Sequence, residues 1–346
     1  MNKILQLFDE NFVKDYLAQK LRTIYPDLLC VNSVIIKPYK KMIWETTYHV
    51  VIGFSLELEK MNSEKEDLFL VCSAHSSEPR ENVFKVLTFL QDRGMADEFF
   101  DIPCPLFYSN SFRGVFYSGL RGENILKQVR ENTELSWEKI SLASRMFAKL
   151  HSLSIAGVQN FNPQNSEIET VVPGVPTILS EMSRKYNGKY DKQMADFYEY
   201  FITSEKRLKK EENICPIHGD AHLENIIDTG PGRLGVIDFA DFCFSDFARD
   251  LGTFLQQLEH RLIKIKEING NVDIDKVLKN KFLSEYLAVR NIKLDDNLKE
   301  RIKLYYDWTM LRTATYFFLK EKSEVERAIG LLDRISANIK SNDFVI

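Results

Sequence analysis

Residues 216 to 242, PIHGDAHLENIIDTGPGRLGVIDFADF, place acidic, imidazole and amide side chains beside short apolar runs. The runs ENII and LGVIDF flank the turn sequence DTGPG, which predicts a β-hairpin. Asp220 and Asn225 precede this hairpin, and Asp238 lies at its far end. Such a stretch is either a solvated surface hairpin or a site, and its residue types decide what chemistry a site could perform.

Phosphoryl transfer is one reaction that these residue types suit. It needs a carboxylate that orients the attacking hydroxyl group and accepts its proton. It also needs hard oxygen ligands for magnesium, whose charge offsets the charge that develops on the phosphates. One aspartate, an amide five residues later and an acid on a neighbouring strand can supply these groups. The alternative for Asp238 is an acid that ends a strand and faces water.

The composition restricts the class of protein. A chain of 346 residues suggests two lobes or domains rather than one core. The formal net charge of −4 does not favour a nucleic-acid partner. No apolar run is long enough to predict a membrane span, and the first residues indicate an amphipathic helix rather than a signal peptide. Five scattered cysteines without a CxxC pair indicate reduced thiols, so we expect a cytoplasmic protein.

The pattern of apolar residues changes along the chain. Residues 28 to 75 are rich in β-branched and aromatic residues with polar breaks, which predicts strands. Residues 81 to 92 have helical periodicity, and two short strands follow them. After Gly122 the pattern is mainly helical. We therefore expect an antiparallel-sheet N-lobe over 1–117, a hinge over 118–122 and a helical C-lobe over 123–346.

Several motifs resemble one family. The block HGDAHLEN…VIDFAD resembles the H-G-D-x-x-x-x-N…hydrophobic-D block of the aminoglycoside phosphotransferase and choline kinase-like family. The segment SDFARDLG at 245 to 252 is similar to a further segment of that family. Weaker similarities occur in the family's order in PRENVFKVLTFL, VFYSGLRGENIL and MFAKLHSL. Together these motifs cover roughly residues 28 to 255, and only the first is specific by itself.

The resemblance implies an α+β fold of the protein-kinase type, with two lobes. It implies a small-molecule phosphotransferase that moves the γ-phosphate of Mg²⁺-bound ATP or GTP to a hydroxyl of an aminoglycoside-, choline- or sugar-like acceptor. It also implies roles for five residues. Asp220 would be the catalytic base, Asn225 and Asp238 the magnesium ligands, and His218 and Asp250 structural residues of the loop.

The nucleotide site departs from the family's pattern. The family has a lysine on the third strand that binds phosphates and pairs with a helix glutamate, for which Glu81 is the match. The strand LFLVCSAHSS has no lysine, and Cys72 or Ser73 lies near the expected position. Lys40 or Lys41 could reach the phosphates instead, because an ammonium group is a compact point charge. The alternative is that both are solvated turn lysines. Nucleotide contacts are also expected from Tyr117 and Leu120, where the last strand passes into the hinge.

The acceptor is expected to bind among the helices that follow the VIDFAD segment. A cationic acceptor calls for acids, and Asp241, Asp246 and Glu259 are available. His222 either faces the substrate or is exposed. Aromatic residues around Trp308 could enclose a ligand, although such a helical pattern is more often core.

Two other classes of protein compete with this interpretation. HGDAH resembles pieces of metal-hydrolase motifs, but the remaining histidines are isolated and form no partner block. A kinase-fold pseudoenzyme that binds a nucleotide or a partner without transfer is the stronger alternative, and the missing strand lysine favours it. The intact set of Asp220, Asn225 and Asp238 argues against it.

Overall fold

The computed structural model describes residues 2–78, 80–131, 133–269 and 274–341. These residues form two compact units, each with its own core. The first unit contains Met1–Glu123 and Ile227–Ala240, and the second contains Asn124–Ile226 and Asp241–Ile346.

The elements below are numbered along the described chain. The strands are β1 (Leu28–Ile43), β2 (Tyr48–Lys60), β3 (Lys65–His75), β4 (Phe100–Asp101), β5 (Pro105–Ser109), β6 (Gly114–Ser118), β7 (Glu123–Asn124), β8 (Ile214–Ile217), β9 (Ile226–Gly230), β10 (Arg233–Val236) and β11 (Cys243–Asp246). The α-helices are α1 (Glu10–Leu21), α2 (Glu81–Asp92), α3 (Ile125–Glu131), α4 (Thr133–Leu150), α5 (Val175–Tyr186), α6 (Asp191–Leu208), α7 (Ala248–Asn269), α8 (Ile274–Arg290), α9 (Asp296–Leu319) and α10 (Val325–Ser341).

The first unit is built on an antiparallel sheet with the strand order β1-β2-β3-β6-β5. Side chains of β2 alternate, so that Val50 and Ile52 are completely buried while His49 and Val51 are half-buried. The buried face packs against α1 and the short 3-10 helix that precedes it. The alternation that predicts strands thus also decides which face of the sheet belongs to the core.

Helix α2 contacts β5 and β6 of this sheet. Val83, Leu87 and Leu90 are buried, as their helical spacing predicts, and Gly94 follows the helix with φ of +70°. The half-buried side chains of β1, β2 and β3 thus lie away from the main contact of α2.

A second sheet of the first unit has the order β4-β10-β9-β7, and it contains the predicted hairpin. Strand β10 runs parallel to β4, and the Arg233 guanidinium donates hydrogen bonds to the Asp101 carboxylate. The hydroxyl of Thr229 donates to the same carboxylate at 2.6 Å. The hairpin therefore belongs to the first unit, whereas the sequence-based division placed all of 123–346 in the helical lobe.

The second unit is helical except for the antiparallel pair β8 and β11. Its core forms where α7 packs on α9, α9 on α10 and α4 on α8, around fully buried side chains such as Phe254 and Trp308. An antiparallel sheet in one unit and helices in the other confirm the expected α+β class. In the portion of the chain that the structure describes, no helix combines the length and apolar character needed to cross a membrane.

Candidate active site

The loop between β8 and β9 carries Asp220 and Asn225, and its course is set by Gly219. This glycine has φ of +82°, a left-handed conformation that side chains disfavour. A Cβ atom built on it would lie 2.4 Å from the carbonyl oxygen of Asp241. The sequence HGD therefore needs glycine at its second position for both conformation and space.

Asp250 anchors this loop from the first turn of α7. Its carboxylate accepts the backbone N–H of His218 at 2.7 Å and that of Gly219 at 2.9 Å. Burial alone would raise the pKa of Asp250, but the hydrogen bond from His151 and these N–H groups hold it below its ordinary value. The geometry agrees with the loop-holding role that the family resemblance implies.

His151, directly after α4, is a site residue for which the sequence analysis proposed no role. Its Nε2 atom lies 3.0 Å from a carboxylate oxygen of Asp250, and its Nδ1 atom lies 2.8 Å from the hydroxyl of Tyr286. Since the carboxylate can only accept, Nε2 carries the hydrogen and Nδ1 accepts from the tyrosine. Burial lowers the pKa of His151, which keeps the ring neutral. The only signal in the sequence is the Leu-His pair at the end of the helix.

Asp220 reaches solvent, with 39% of its side chain exposed. The Nδ1 atom of His222 accepts the backbone N–H of Glu224 at 3.2 Å. Its Nε2 atom lies 3.3 Å from an Asp220 carboxylate oxygen and 3.2 Å from the Nδ2 atom of Asn225. Burial would raise the pKa of Asp220, but His222 and the positive charge of Arg312 bring it well below its usual range. His222 therefore contacts Asp220, and its proposed contact with the acceptor stays a prediction.

Asn225 and His218 complete the loop. The Nδ2 atom of Asn225 donates to the backbone carbonyl of Asp220 at 3.0 Å, which identifies Oδ1 as the atom left for another partner. His218 is completely buried, and its Nδ1 accepts the backbone N–H of Asp220 at 3.3 Å. His218 thus lies in the frame of the loop, where the resemblance places it.

Asp238 follows β10 in the first unit. It has φ of +63°, an uncommon conformation for a residue other than glycine. Its side chain is exposed and makes no hydrogen bond or ion pair with any residue that the structure describes. Its carboxylate oxygens are therefore free to bind a cation.

Lys40 and Lys41 lie on opposite faces of the first sheet. Lys40 is paired in register with Val51, and Val51 with Ser73, so these side chains share the half-buried face. The ammonium of Lys41 lies 4.5 Å from the ring centroid of Phe8, on the side of the N-terminal helices. Of the two lysines proposed from the sequence, Lys40 is thus the one on the face opposite the core.

Lys40 has charged neighbours within the same unit. Partial burial lowers the pKa of its ammonium, the negative charge of Asp238 raises it, and the positive charge of Arg80 lowers it again. Lys40 therefore lies near both an acid and a second cation. Of the two strand residues near the expected lysine position, Ser73 shares this face while Cys72 is buried in the core.

Arg80 is a second cation here, and the sequence analysis missed it. It immediately precedes α2, and only 12% of its side chain is exposed. It makes a 3.5 Å contact with Glu78, and its buried Nε has no hydrogen-bond partner in the described structure. Its charge also acts on His49, His75 and Tyr117. Because Arg80 lies outside any strand, the search for a cation to replace the strand lysine gave no reason to select it from the sequence.

The other residues that the sequence predicts to contact the nucleotide have different surroundings. Glu81 forms an exposed ion pair with Lys85 on its own helix at 2.9 Å, and so does not orient Lys40. Tyr117 is half-buried on β6 opposite Val71, and burial followed by the charge of Asp238 raises its pKa. Leu120 packs close to Gly235.

The three acids proposed for the acceptor all have cationic partners. Asp246 is buried in an ion pair with Arg301 and accepts the backbone N–H of Ala248, so it holds the fold together. Glu259 accepts from Lys279 at 2.7 Å and also pairs with Arg334. Asp241 alone is partly exposed, with Arg312 at 3.8 Å.

Comparisons with known proteins bear on both fold and family. The profile of the phosphotransferase enzyme family (APH) matches residues 65–264, more than half of the chain. The comparison with curated proteins gave no match.

Among solved structures, the ethanolamine kinase of Plasmodium vivax is 14% identical with a TM-score of 0.55, over 96% of this chain and 90% of that one. The choline kinase of Cryptosporidium parvum is 11% identical with a TM-score of 0.55, over 88% and 89%. An amicoumacin kinase in complex with AMP-PNP, Ca²⁺ and Ami is 13% identical with a TM-score of 0.53, over 88% and 89%. These likenesses confirm the kinase-like fold, and the profile shows that the chain belongs to the phosphotransferase enzyme family.

Proposed function

We propose that this chain transfers the γ-phosphoryl group of magnesium-bound ATP or GTP to a hydroxyl group of a small acceptor. The observation that carries the proposal is the state of Asp220. It is ionised and partly exposed, and it extends from a loop whose backbone is held by a buried carboxylate. A carboxylate in this state suits an attacking hydroxyl group.

In the proposed step, the acceptor oxygen attacks the γ-phosphorus and forms a new P–O bond. The bond between that phosphorus and the β–γ bridging oxygen breaks, and the nucleoside diphosphate leaves. The hydroxyl proton passes to Asp220. Because its pKa is held low, Asp220 is a weak base that mainly orients the hydroxyl and accepts the proton late, which a loose transition state permits.

Asn225 and Asp238 are the residues that we propose for the cation. The amide Oδ1 of Asn225 and the exposed carboxylate of Asp238 have no partner among the described residues, and both are hard oxygen donors that suit Mg²⁺. When bound, the cation supplies positive charge to the phosphate oxygens.

Lys40 and Arg80 are proposed as the cations that replace the missing strand lysine. Lys40 lies on the sheet face that Ser73 shares, the charge of Arg80 acts on Lys40, and Arg80 retains an unpaired guanidinium N–H. An arginine can bind phosphate oxygens through several donors at once, and a lysine adds a compact point charge. The absence of a strand lysine is thus weak support for a pseudoenzyme.

Thermal unfolding with ATP and with GTP, each with and without Mg²⁺, tests the proposal, together with release of the diphosphate on addition of hydroxyl acceptors. We expect nucleotide stabilisation that needs Mg²⁺ and is lost in Asp238→Asn. Asp196→Asn, an exposed acid paired with Lys192, is the matched control. Stabilisation without transfer to any acceptor in a broad panel would favour the pseudoenzyme, and no stabilisation at all would refute the proposal.

A further inference from the structure

Arg312 on α9 is a half-buried cation without a hydrogen bond. Its guanidinium lies 5.1 Å from the ring centroid of Trp308, and 32% of the side chain is exposed. Its nearest acid is Asp241, at 3.8 Å, beyond hydrogen-bond distance. Within the described chain no hydrogen bond is made by its guanidinium. Stacking on the indole restricts the group while its N–H donors stay available.

Arg312 lies close to the candidate base. The backbone carbonyl of Asp241 packs against Gly219, the residue before Asp220. The charge of Arg312 is also one of those that keep Asp220 ionised. A ligand that reaches Asp220 within this unit therefore meets a positive charge.

Apart from Asp241, which lies 3.8 Å from Arg312, the acids expected to meet a cationic acceptor have other cationic partners. Asp246 and Glu259 already bind Arg301, Lys279 and Arg334, as described above. Glu224 accepts from Arg261 at 2.6 Å. An ammonium-bearing acceptor would thus find these carboxylates already paired with cations.

We infer that Arg312 binds a carboxylate of the acceptor, so that the acceptor is a small hydroxy acid whose hydroxyl is presented to Asp220. A guanidinium group matches a planar carboxylate through two parallel hydrogen bonds. One available arginine balances one negative charge, whereas a phosphate ester would call for a second cation, and Arg261 is already paired. This inference rests on the proposed function, and it differs from the cationic acceptor expected from the sequence.

Matched pairs of hydroxyl compounds test the inference through binding, without the need for transfer. Glycerate is compared with glycerol, gluconate with sorbitol, and 4-hydroxybutyrate with 1,4-butanediol, by calorimetric titration into the whole chain. Choline and ethanolamine are the cationic probes. At least one acid should bind about tenfold more tightly than its neutral partner, as expected for a charge-assisted bidentate contact.

Arg312→Gln should remove that preference while leaving the binding of neutral compounds unchanged, and Arg312→Lys should restore part of it. Arg207→Gln is the matched control, because Arg207 forms an exposed ion pair with Glu300. Unfolding curves show whether each variant is folded. If no acid binds more tightly than its neutral partner, or Arg312→Gln weakens both equally, the inference is overturned. Mg²⁺-dependent nucleotide stabilisation is measured separately, so the proposed function can stand when this inference fails.

Discussion

The Nε2 atom of His151 lies 3.0 Å from a carboxylate oxygen of Asp250, and both side chains are almost completely buried. The same carboxylate accepts two backbone N–H groups of the loop that carries Asp220. Through this pair the end of α4, the start of α7 and the loop that carries Asp220 share one hydrogen-bonded centre. Its disruption should therefore affect both stability and catalysis.

The first prediction concerns Asp250→Asn. An amide has one acceptor oxygen, so it cannot accept from all three N–H groups, and its own NH₂ would face one of these donors. We expect a loss of roughly 1–3 kcal/mol for each buried donor left unsatisfied, together with lower turnover. Urea unfolding at pH 7 measures the loss. The exposed Asp196→Asn should stay within about 0.5 kcal/mol of wild type, and an equally small effect at Asp250 would contradict the role given to it.

The second prediction concerns Asp220→Asn. The variant retains the shape of the side chain but cannot accept the proton, so turnover should fall by about 10²- to 10⁴-fold. Nucleotide affinity, measured by calorimetric titration with Mg²⁺ present, should change by less than about twofold, well under the 1.4 kcal/mol that corresponds to tenfold. Full activity in the variant would remove Asp220 from the mechanism.

The third prediction compares two neighbouring lysines. Lys40→Ala should weaken nucleotide binding or turnover by about ten- to a hundredfold, the equivalent of roughly 1.5–3 kcal/mol for a charge-assisted contact. Lys41→Ala is the control, because its ammonium lies over Phe8 on the other face of the sheet. Equal effects of the two changes, or none for Lys40, would mean that Lys40 is a solvated strand residue.

The fourth prediction concerns pH. Burial, followed by the charges of Lys40 and Arg80, lowers the pKa of His49 from 6.5 to about 4. Between these values the unfolded chain binds a proton at this residue and the folded chain does not. The free energy of unfolding therefore has its full value, as far as His49 decides it, above pH 6.5, and it declines as the pH falls towards 4.

Because the His49 ring is only half-buried, we expect its share of the decline from pH 7 to pH 5 to be on the order of 1 kcal/mol. His49→Gln should show a shallower decline than wild type in urea unfolding over this range. Above pH 7 the two curves should run parallel. The same slope in both proteins below pH 7 would show that His49 does not titrate in this way.

The fifth prediction compares two glycines. Gly219→Ala should destabilise the chain by more than about 1 kcal/mol, because the residue has positive φ and its Cβ would meet the Asp241 carbonyl. Turnover should fall as well, since Asp220 is the next residue. Gly330→Ala, in the exposed middle of α10 with open space around it, should instead stabilise by roughly 0.5–1 kcal/mol. Melting temperatures of the two variants give the comparison.

Several features follow from the sequence alone, because they depend on residues close together in the chain. Asp220 and Asn225 lie in one short loop, so their spacing is enough to predict that they act together. The alternation of β2 predicts both a strand and its buried face. The helical spacing of Val83, Leu87 and Leu90 predicts α2 and the side on which it packs.

Other features depend on residues far apart, and only the tertiary structure decided them. A register shift between Pro38 and Lys40 in the pairing of β1 with β2 places Lys40 opposite Val51 and Lys41 opposite Val50, and so decides which of the two lysines lies on the half-buried face. Asp246 meets Arg301, a residue 55 positions away, which removes it from the acceptor site. A sequence shows that an acid or a cation is present, but its partner and its burial are properties of the folded chain. For that reason the type of reaction could be predicted here from the motifs, whereas the cationic partners of the acids proposed for the acceptor could not.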